Sequence, residues 1–232
     1  MPGASRPTHF LALQLPDPAL HAGIASLQSA CAEREPSLKA CAVSPAKTHL
    51  TLFVFDGNGD RLARALAAFE GFRSSFVVPA EPPRIRLSGL DTFGPNVLYC
   101  SIEADDAMAQ LGELRQRAAA CFVSHGLLDE QCLHESWSPH VTVLKTSAAG
   151  RRAGKLRIRR DAYAGLDGAL GTHALPHVSL CQMGGEGEGR FYPVLARAPL
   201  WRGGADAAVY AAVPGAAERG AAECTWTSRR WW

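Results

Sequence analysis

Apolar and polar positions divide the chain into short strands and amphipathic helices. Residues 9–15 read as a first strand, and Asp17 followed by Pro18 is typical of a helix N-cap with proline at the first helical position. The helix that follows ends before Pro36, and its apolar positions recur at helical spacing: Leu20, Ile24, Leu27 and Cys31. Residues 48–55 are β-branched and apolar, which predicts a second strand.

The same order of elements recurs further along the chain. Residues 97–102 read as a strand, and the Gly94-Pro95-Asn96 turn predicts that they pair as a hairpin with residues 85–93. Asp105 can cap the next helix, and Gly126 can end it. The apolar face predicted for this helix consists of Met108, Leu111, Ala118 and Phe122. A strand then follows, so strand, helix and strand occur twice.

The remaining segments carry weaker patterns. Asp60 can cap a helix whose apolar face is Leu62, Leu66 and Phe69. Two more strands are predicted at residues 177–182 and 191–196. The basic run at residues 155–160 favours a solvated face or an edge strand, with phosphate or RNA contact as the alternative. Residues 203–232 are rich in Ala and Gly, so we expect a disordered tail after a domain that spans residues 1–202.

Two similar stretches carry the candidate chemistry. Lys-Thr-His-Leu-Thr-Leu-Phe-Val-Phe contains His49 and Thr51, and Ser-Pro-His-Val-Thr-Val-Leu contains His140 and Thr142. Residues two apart in a strand share a face, so each stretch presents an imidazole and a hydroxyl together. Because each stretch ends a strand–helix–strand unit, we infer an internal duplication that builds two α+β lobes with mostly antiparallel sheets.

A third stretch imitates these two motifs. Pro176-His177-Val178-Ser179 offers the same spacing of His and hydroxyl, but no strand–helix unit fits between residues 145 and 177. We therefore expect His177 to be an exposed or edge-strand residue. The remaining histidines are expected at element ends or on helix surfaces, without a role: His9, His21, His125, His134 and His173.

Composition narrows the class of protein. Hydrophobic residues make up 47% of the chain, which suits a globular domain, and a net charge of +2 does not demand polyanion binding. The seven Cys form no C-x-x-C pair, so neither a disulfide framework nor a zinc site is indicated. No apolar run is long enough for a secretory signal or a membrane span. We expect a cytoplasmic or nuclear monomer without membrane contact.

The paired H-x-T strands resemble those of the 2H phosphoesterase superfamily. Residues 8–13, 89–94 and 156–161 add to this likeness, which extends over residues 8–200 and is closest to the nucleotide-binding central domain of the gamma-type A-kinase anchoring proteins. The resemblance implies a bilobal α+β fold with helices flanking two sheets around a central groove. It also implies His49, Thr51, His140 and Thr142 as catalytic residues, a nucleotide or short oligonucleotide as substrate, and no cofactor or metal.

The resemblance implies acid–base cleavage of a 2′,5′-linked oligonucleotide such as 2′,5′-oligoadenylate. One His would take the proton of the free 3′-OH and the other would protonate the leaving 5′-oxygen, while the two Thr bind the non-bridging oxygens. Phe93 and Trp137 are candidates for stacking on a base. The motifs leave open which His is the base. They also leave open a 2′,3′-cyclic phosphodiesterase, an RNA 3′-end processing enzyme or a non-catalytic sensor of AMP-like ligands.

Overall fold

The computed structural model describes residues 6–75, 78–146 and 156–202, and the predicted tail lies outside these ranges. In chain order its strands and α-helices are β1 (His9–Gln14), α1 (Pro18–Arg34), β2 (His49–Phe55), α2 (Arg61–Ser74), β3 (Arg84–Phe93), β4 (Val97–Ile102), α3 (Asp106–Ser124), β5 (His140–Lys145), β6 (Gly171–Ala174), β7 (His177–Gln182) and β8 (Val194–Pro199).

The strands form two four-stranded sheets, and every pairing in them is antiparallel. Their orders are β2-β1-β7-β8 and β5-β4-β3-β6. Each strand–helix–strand unit lies in one sheet, with its first strand inside the sheet and its His/Thr strand at the edge. The predicted α+β fold with a duplicated unit is therefore confirmed.

Local capping explains where two of the helices begin. The Asp17 carboxylate accepts a hydrogen bond from the Ala19 amide (2.8 Å), and the Asp105 carboxylate accepts one from the Met108 amide (3.0 Å). Gly126 follows α3 with a φ of 66°, a conformation that glycine adopts without strain. These three predictions of helix ends are confirmed.

The buried face of α2 differs from the prediction. The helix buries Ala65, Ala68, Phe69 and Phe72, whereas Leu62 and Leu66 are only partly buried. The Asp60 side chain makes no capping hydrogen bond. Phe69 and Phe72, one turn apart, determine which face of α2 is buried, because aromatic rings bury more apolar area than the leucine side chains do.

Most buried apolar side chains of both sheets form one contiguous cluster, which joins the two lobes, and a second, smaller cluster consists of Phe10, Ala12, Cys181 and Phe191. The helices cross between the lobes: α1 follows β1 but contacts β5, and α3 follows β4 but contacts β2. Each His/Thr strand is thus backed by the helix of the other unit. No helix in the described ranges is long and apolar enough to cross a membrane.

Several local predictions were wrong. The last strand begins at Val194 instead of 191, and the short β6 was not foreseen. Residues 156–160 form no strand, but Arg157, Arg159 and Arg160 are exposed, as expected for the solvated-face alternative, while Ile158 is buried and its amide donates to the Pro95 carbonyl (2.8 Å).

Two of the histidines, His173 and His177, differ from expectation, whereas His9, His125 and His134 lie at element ends as expected. His177 lies on β7, which is paired on both sides and so is an interior strand. His9 and His173 are buried, and the ring of His173 bonds the Asp17 carboxylate (2.7 Å).

Candidate active site

The two H-x-T motifs meet where the edge strands β2 and β5 contact each other. His49 and Thr51 are both partly buried on one face of β2, and His140 and Thr142 have the same burial on β5. The charge of His140 contributes to the lowered pKa of His49. The four residues predicted to be catalytic thus lie on the two strands that meet here, and their catalytic role stays a prediction.

Both imidazoles are held in the same orientation by the chain just before them. The Nδ1 of His49 bonds the Lys47 carbonyl (2.7 Å), and the Nδ1 of His140 bonds the Ser138 carbonyl (2.9 Å). A carbonyl only accepts, so Nδ1 carries the hydrogen in both rings and the neutral tautomer has its lone pair on Nε2. Each ring thus keeps Nε2 for proton exchange.

A β-bulge follows the threonine in each motif. Leu52 is the extra residue on β2 and Val143 the extra residue on β5. The carbonyl of Leu52 accepts from Arg115 Nε on α3 (3.1 Å), and that of Val143 accepts from Gln28 Nε2 on α1 (2.9 Å). These bonds hold both bulges from the opposite lobe and fix where the His and Thr side chains point.

Aromatic rings surround His49. Its centroid lies 5.2 Å from that of Phe10, 6.0 Å from Phe191 and 5.6 Å from Tyr192. Lys47 holds the loop that carries the last two rings, because its Nζ donates to the Gly185 carbonyl (3.0 Å) and lies 4.8 Å from the Tyr192 ring centre. Burial lowers the pKa of His49 to about 4, although the bond to the Lys47 carbonyl opposes the shift.

His140 has a more open environment. The exposed ring of Phe93 lies 4.8 Å from the imidazole, edge to face, and Tyr99 lies 5.2 Å away. Phe93 and Tyr99 stack on each other at 4.3 Å. Burial also lowers the pKa of His140, with a further contribution from the charge of Lys145. Phe93 is thus placed beside the site, and its predicted contact with a base stays a prediction.

Lys145 is a functional candidate that was not predicted from the sequence. It lies three residues after Thr142 on β5, and its charge lowers the pKa of both imidazoles. Within the described ranges no carboxylate forms an ion pair with it. The spacing H-x-T-x-x-K was visible in the sequence. The bulge at Val143, however, puts Lys145 on the face of Thr142, and this bulge cannot be foreseen from a simple alternation of faces.

Trp137 joins the two lobes at the site. Its indole N–H donates to the carbonyl of Thr51 (3.0 Å), so a residue just before the second motif supports the first. Trp137 also lines a cavity of about 320 Å³ together with Tyr99, Ser101 and Pro139. Its stacking on a base stays a prediction, whereas its hydrogen bond to the Thr51 carbonyl gives it a structural role.

No group of three or more His, Cys, Asp or Glu side chains in the part of the chain that the structure describes could hold a metal ion. The six cysteines of that part are all free, and five of them are buried. The buried five pack as small apolar side chains.

Comparison with known proteins identifies the family. Residues 7–200 match the AKAP7 2′5′ RNA ligase-like domain. Human A-kinase anchor protein 7 isoform gamma is 26% identical over 184 residues, which are 77% of this chain and 52% of that protein, so the chain spans about half the length of this curated relative.

Solved structures share the fold. Escherichia coli LigT in complex with 3′-AMP has a TM-score of 0.52 at 17% identity, over 85% of this chain and 100% of that chain. TT0787 of Thermus thermophilus has a TM-score of 0.50 at 23% identity, over 83% and 97%. A third structure, described as a phosphoesterase, has a TM-score of 0.52 at 15% identity, over 85% and 100%. The chain belongs to the AKAP7 2′5′ RNA ligase-like domain family, within the 2H phosphoesterase superfamily.

Proposed function

We propose that the protein is a phosphodiesterase that cleaves 2′,5′-linked oligonucleotides by two-histidine acid–base catalysis without a metal. The observation that carries the proposal is the matched pair of imidazoles on facing edge strands, each with Nδ1 bound to a backbone carbonyl and Nε2 left for proton transfer. A threonine hydroxyl stands on the same face beside each ring. The family and its solved relatives support phosphoester chemistry.

The different surroundings of the two rings support a division of roles between them. His49, with a pKa of about 4, is neutral at neutral pH and acts as the base that takes the proton of the free 3′-OH. The 3′-oxygen then bonds to phosphorus, the bond from phosphorus to the 5′-oxygen breaks, and His140 gives its proton to that oxygen. The products are a 2′,3′-cyclic phosphate and a 5′-OH. Such assistance contributes about 10²–10⁴-fold in rate.

The phosphate itself prepares His140 for this role. An anionic group between the rings raises the pKa of a neighbouring imidazole, which opposes the effect of burial and of Lys145. Lys145 and the hydroxyls of Thr51 and Thr142 then stabilise the charge that develops on the non-bridging oxygens. Phe93 and Tyr99 offer a stacked aromatic surface beside His140 for one base.

The test is cleavage of 2′,5′-linked oligoadenylate in EDTA by the wild type, His49→Ala and His140→Ala. His134→Ala is the matched control, because His134 is exposed and outside the site. We expect both site variants to lose at least about 100-fold in kcat and the control to keep full activity. Cleavage that persists in both site variants, or that needs an added metal, would contradict the mechanism. Substrates with 3′,5′ linkages and 2′,3′-cyclic phosphates, run in parallel, identify the preferred linkage.

One observation favours a second candidate, a nucleotide-binding module without turnover. The pKa values of both imidazoles lie below their usual value of 6.5, so the free protein has little protonated His140 at pH 7.5. Binding of AMP and cleavage of the oligonucleotide, both measured at pH 5.5 and 7.5, separate the two. Binding at both pH values with no cleavage at either would favour the module.

A further inference from the structure

The face of the first sheet that carries the first motif continues across the whole sheet. Thr51 on β2 is opposite Ala12 on β1, Ala12 is opposite Ser179 on β7, and Ser179 is opposite Arg197 on β8. Directly opposed residues share a face, so these four side chains form one row. The neighbours of this row along β7 and β8 lie in the core on the other side of the sheet: Val178, Leu180, Ala196 and Ala198.

Two members of this row are buried donors without an acceptor. Ser179 has an exposed fraction of 0%, and its Oγ makes no hydrogen bond. The Nε of Arg197 is also buried and makes none. No carboxylate of the described residues forms an ion pair with this guanidinium. Leaving such donors unpaired is unfavourable, so the pair is suited to an acceptor that comes from outside the chain.

The neighbouring thiol does not supply the missing negative charge. Cys181 shares the face of Ser179, and the charge of Arg197 acts on it, yet burial raises the pKa of this thiol to about 12. The thiol is therefore protonated at neutral pH. Phe191 belongs to the same buried apolar cluster as Ala12 and Cys181, and it adds no acceptor. Ser179 and Arg197 thus form a positively charged pair of donors.

We infer that Ser179 and Arg197 form a second anion subsite, which receives a phosphate of the nucleotide ligand other than the one held between the two histidines. The inference rests on the proposed function. Neighbouring strands lie about 4.8 Å apart, so Ser179 is about 10 Å from Thr51 along the row and Arg197 is one strand further. One phosphate cannot span that distance. A guanidinium can bind two phosphate oxygens at once, and the serine hydroxyl can donate to a third.

The experiment compares two substrates, a 2′,5′-linked adenylate dinucleotide with and without a 5′-phosphate. For the wild type we expect KM to be about 10-fold lower for the phosphorylated form, the effect of one charge-assisted contact. Arg197→Gln should abolish this difference and leave kcat and KM for the unphosphorylated form unchanged. Arg197→Lys should restore part of it, and Ser179→Ala should reduce it. Arg84→Gln, which removes the same charge from an exposed position on β3, is the matched control.

The outcomes separate this inference from the proposed function. A wild type that cleaves both forms with equal KM, or an Arg197→Gln variant that keeps the full preference, overturns the subsite alone. If neither dinucleotide is cleaved, the proposed function fails, and calorimetric binding of the same two dinucleotides then decides the subsite. Tighter binding of the 5′-phosphorylated form that Arg197→Gln removes would support the subsite, and equal binding would overturn it. Thermal unfolding confirms that each variant is folded.

Discussion

The burial of His49 predicts that the stability of the protein falls in mild acid. Three aromatic rings enclose the imidazole and lower its pKa from 6.5 to about 4. Above pH 6.5 the ring is neutral in both the folded and the unfolded chain, so it contributes no pH dependence. As the pH falls from 6.5 towards 4, the unfolded chain binds a proton that the folded protein does not, and the free energy of unfolding decreases.

The size of the effect follows from the same two pKa values. One pKa unit corresponds to about 1.4 kcal/mol, so the interval from 6.5 to about 4 sets an upper bound of about 3.4 kcal/mol once the pH is below 4. At pH 5 the loss is about 2 kcal/mol, since the unfolded ring is then almost fully protonated and the folded ring is not. Because the His49 side chain is only partly buried, both figures are upper bounds.

Urea unfolding at pH 7.5 and pH 5.0 measures this loss directly. His49→Asn keeps a donor for the Lys47 carbonyl but cannot titrate. Between pH 7.5 and pH 5.0 the wild type should therefore lose up to about 2 kcal/mol more unfolding free energy than this variant. His134→Asn is the matched control and should behave like the wild type, because this side chain is exposed. Parallel losses in the wild type and His49→Asn would refute the reasoning.

Three more predictions follow from the site and the fold. Because burial lowers both imidazole pKa values below 6.5, kcat/KM for a 2′,5′-linked dinucleotide should rise with pH through about 4 and peak below pH 6.5. A maximum above pH 7.5 would contradict this assignment. Trp137→Phe removes the hydrogen bond to the motif carbonyl, so steady-state kinetics should show kcat about 5-fold lower with KM almost unchanged. A rise in KM alone would instead indicate stacking on the base. Gly57→Ala places a Cβ 2.5 Å from the buried His9 ring and should cost about 1–3 kcal/mol, whereas Gly71→Ala in α2 meets open space and should stabilise by up to about 1 kcal/mol. Equal shifts in Tm for the two glycine variants would be inconsistent with these packing differences.

Features that depend on a few neighbouring residues were predictable from the sequence. The caps at Asp17 and Asp105 are local, because a carboxylate bonds an amide two or three residues later. The duplicated H-x-T motifs were also predictable, since the strand period alone puts His and Thr on one face. The pairing of the two motifs needed only the repeated strand–helix–strand order.

Features that depend on contacts between the lobes were not predictable. Phe191 and Tyr192 read as the start of a strand, but they belong to a loop that folds back onto His49, where Phe191 is buried against Phe10. The four residues of β6 have no alternating apolar pattern, because only one of them is buried. The bond from Arg115 to the carbonyl of the first bulge joins residues 63 positions apart.

Each lobe donates a hydrogen bond that holds the bulge of the other, which affects whether the chain could be divided into two separate units. Arg115 of the second unit holds the bulge of the first motif, and Gln28 of the first unit holds the bulge of the second. A polypeptide with only one unit would lack the donor for its own strand and would gain it by associating with a second copy. The present chain is therefore arranged like a two-fold homodimer whose subunits are joined in one polypeptide, because the helix of each unit supports the His/Thr strand of the other.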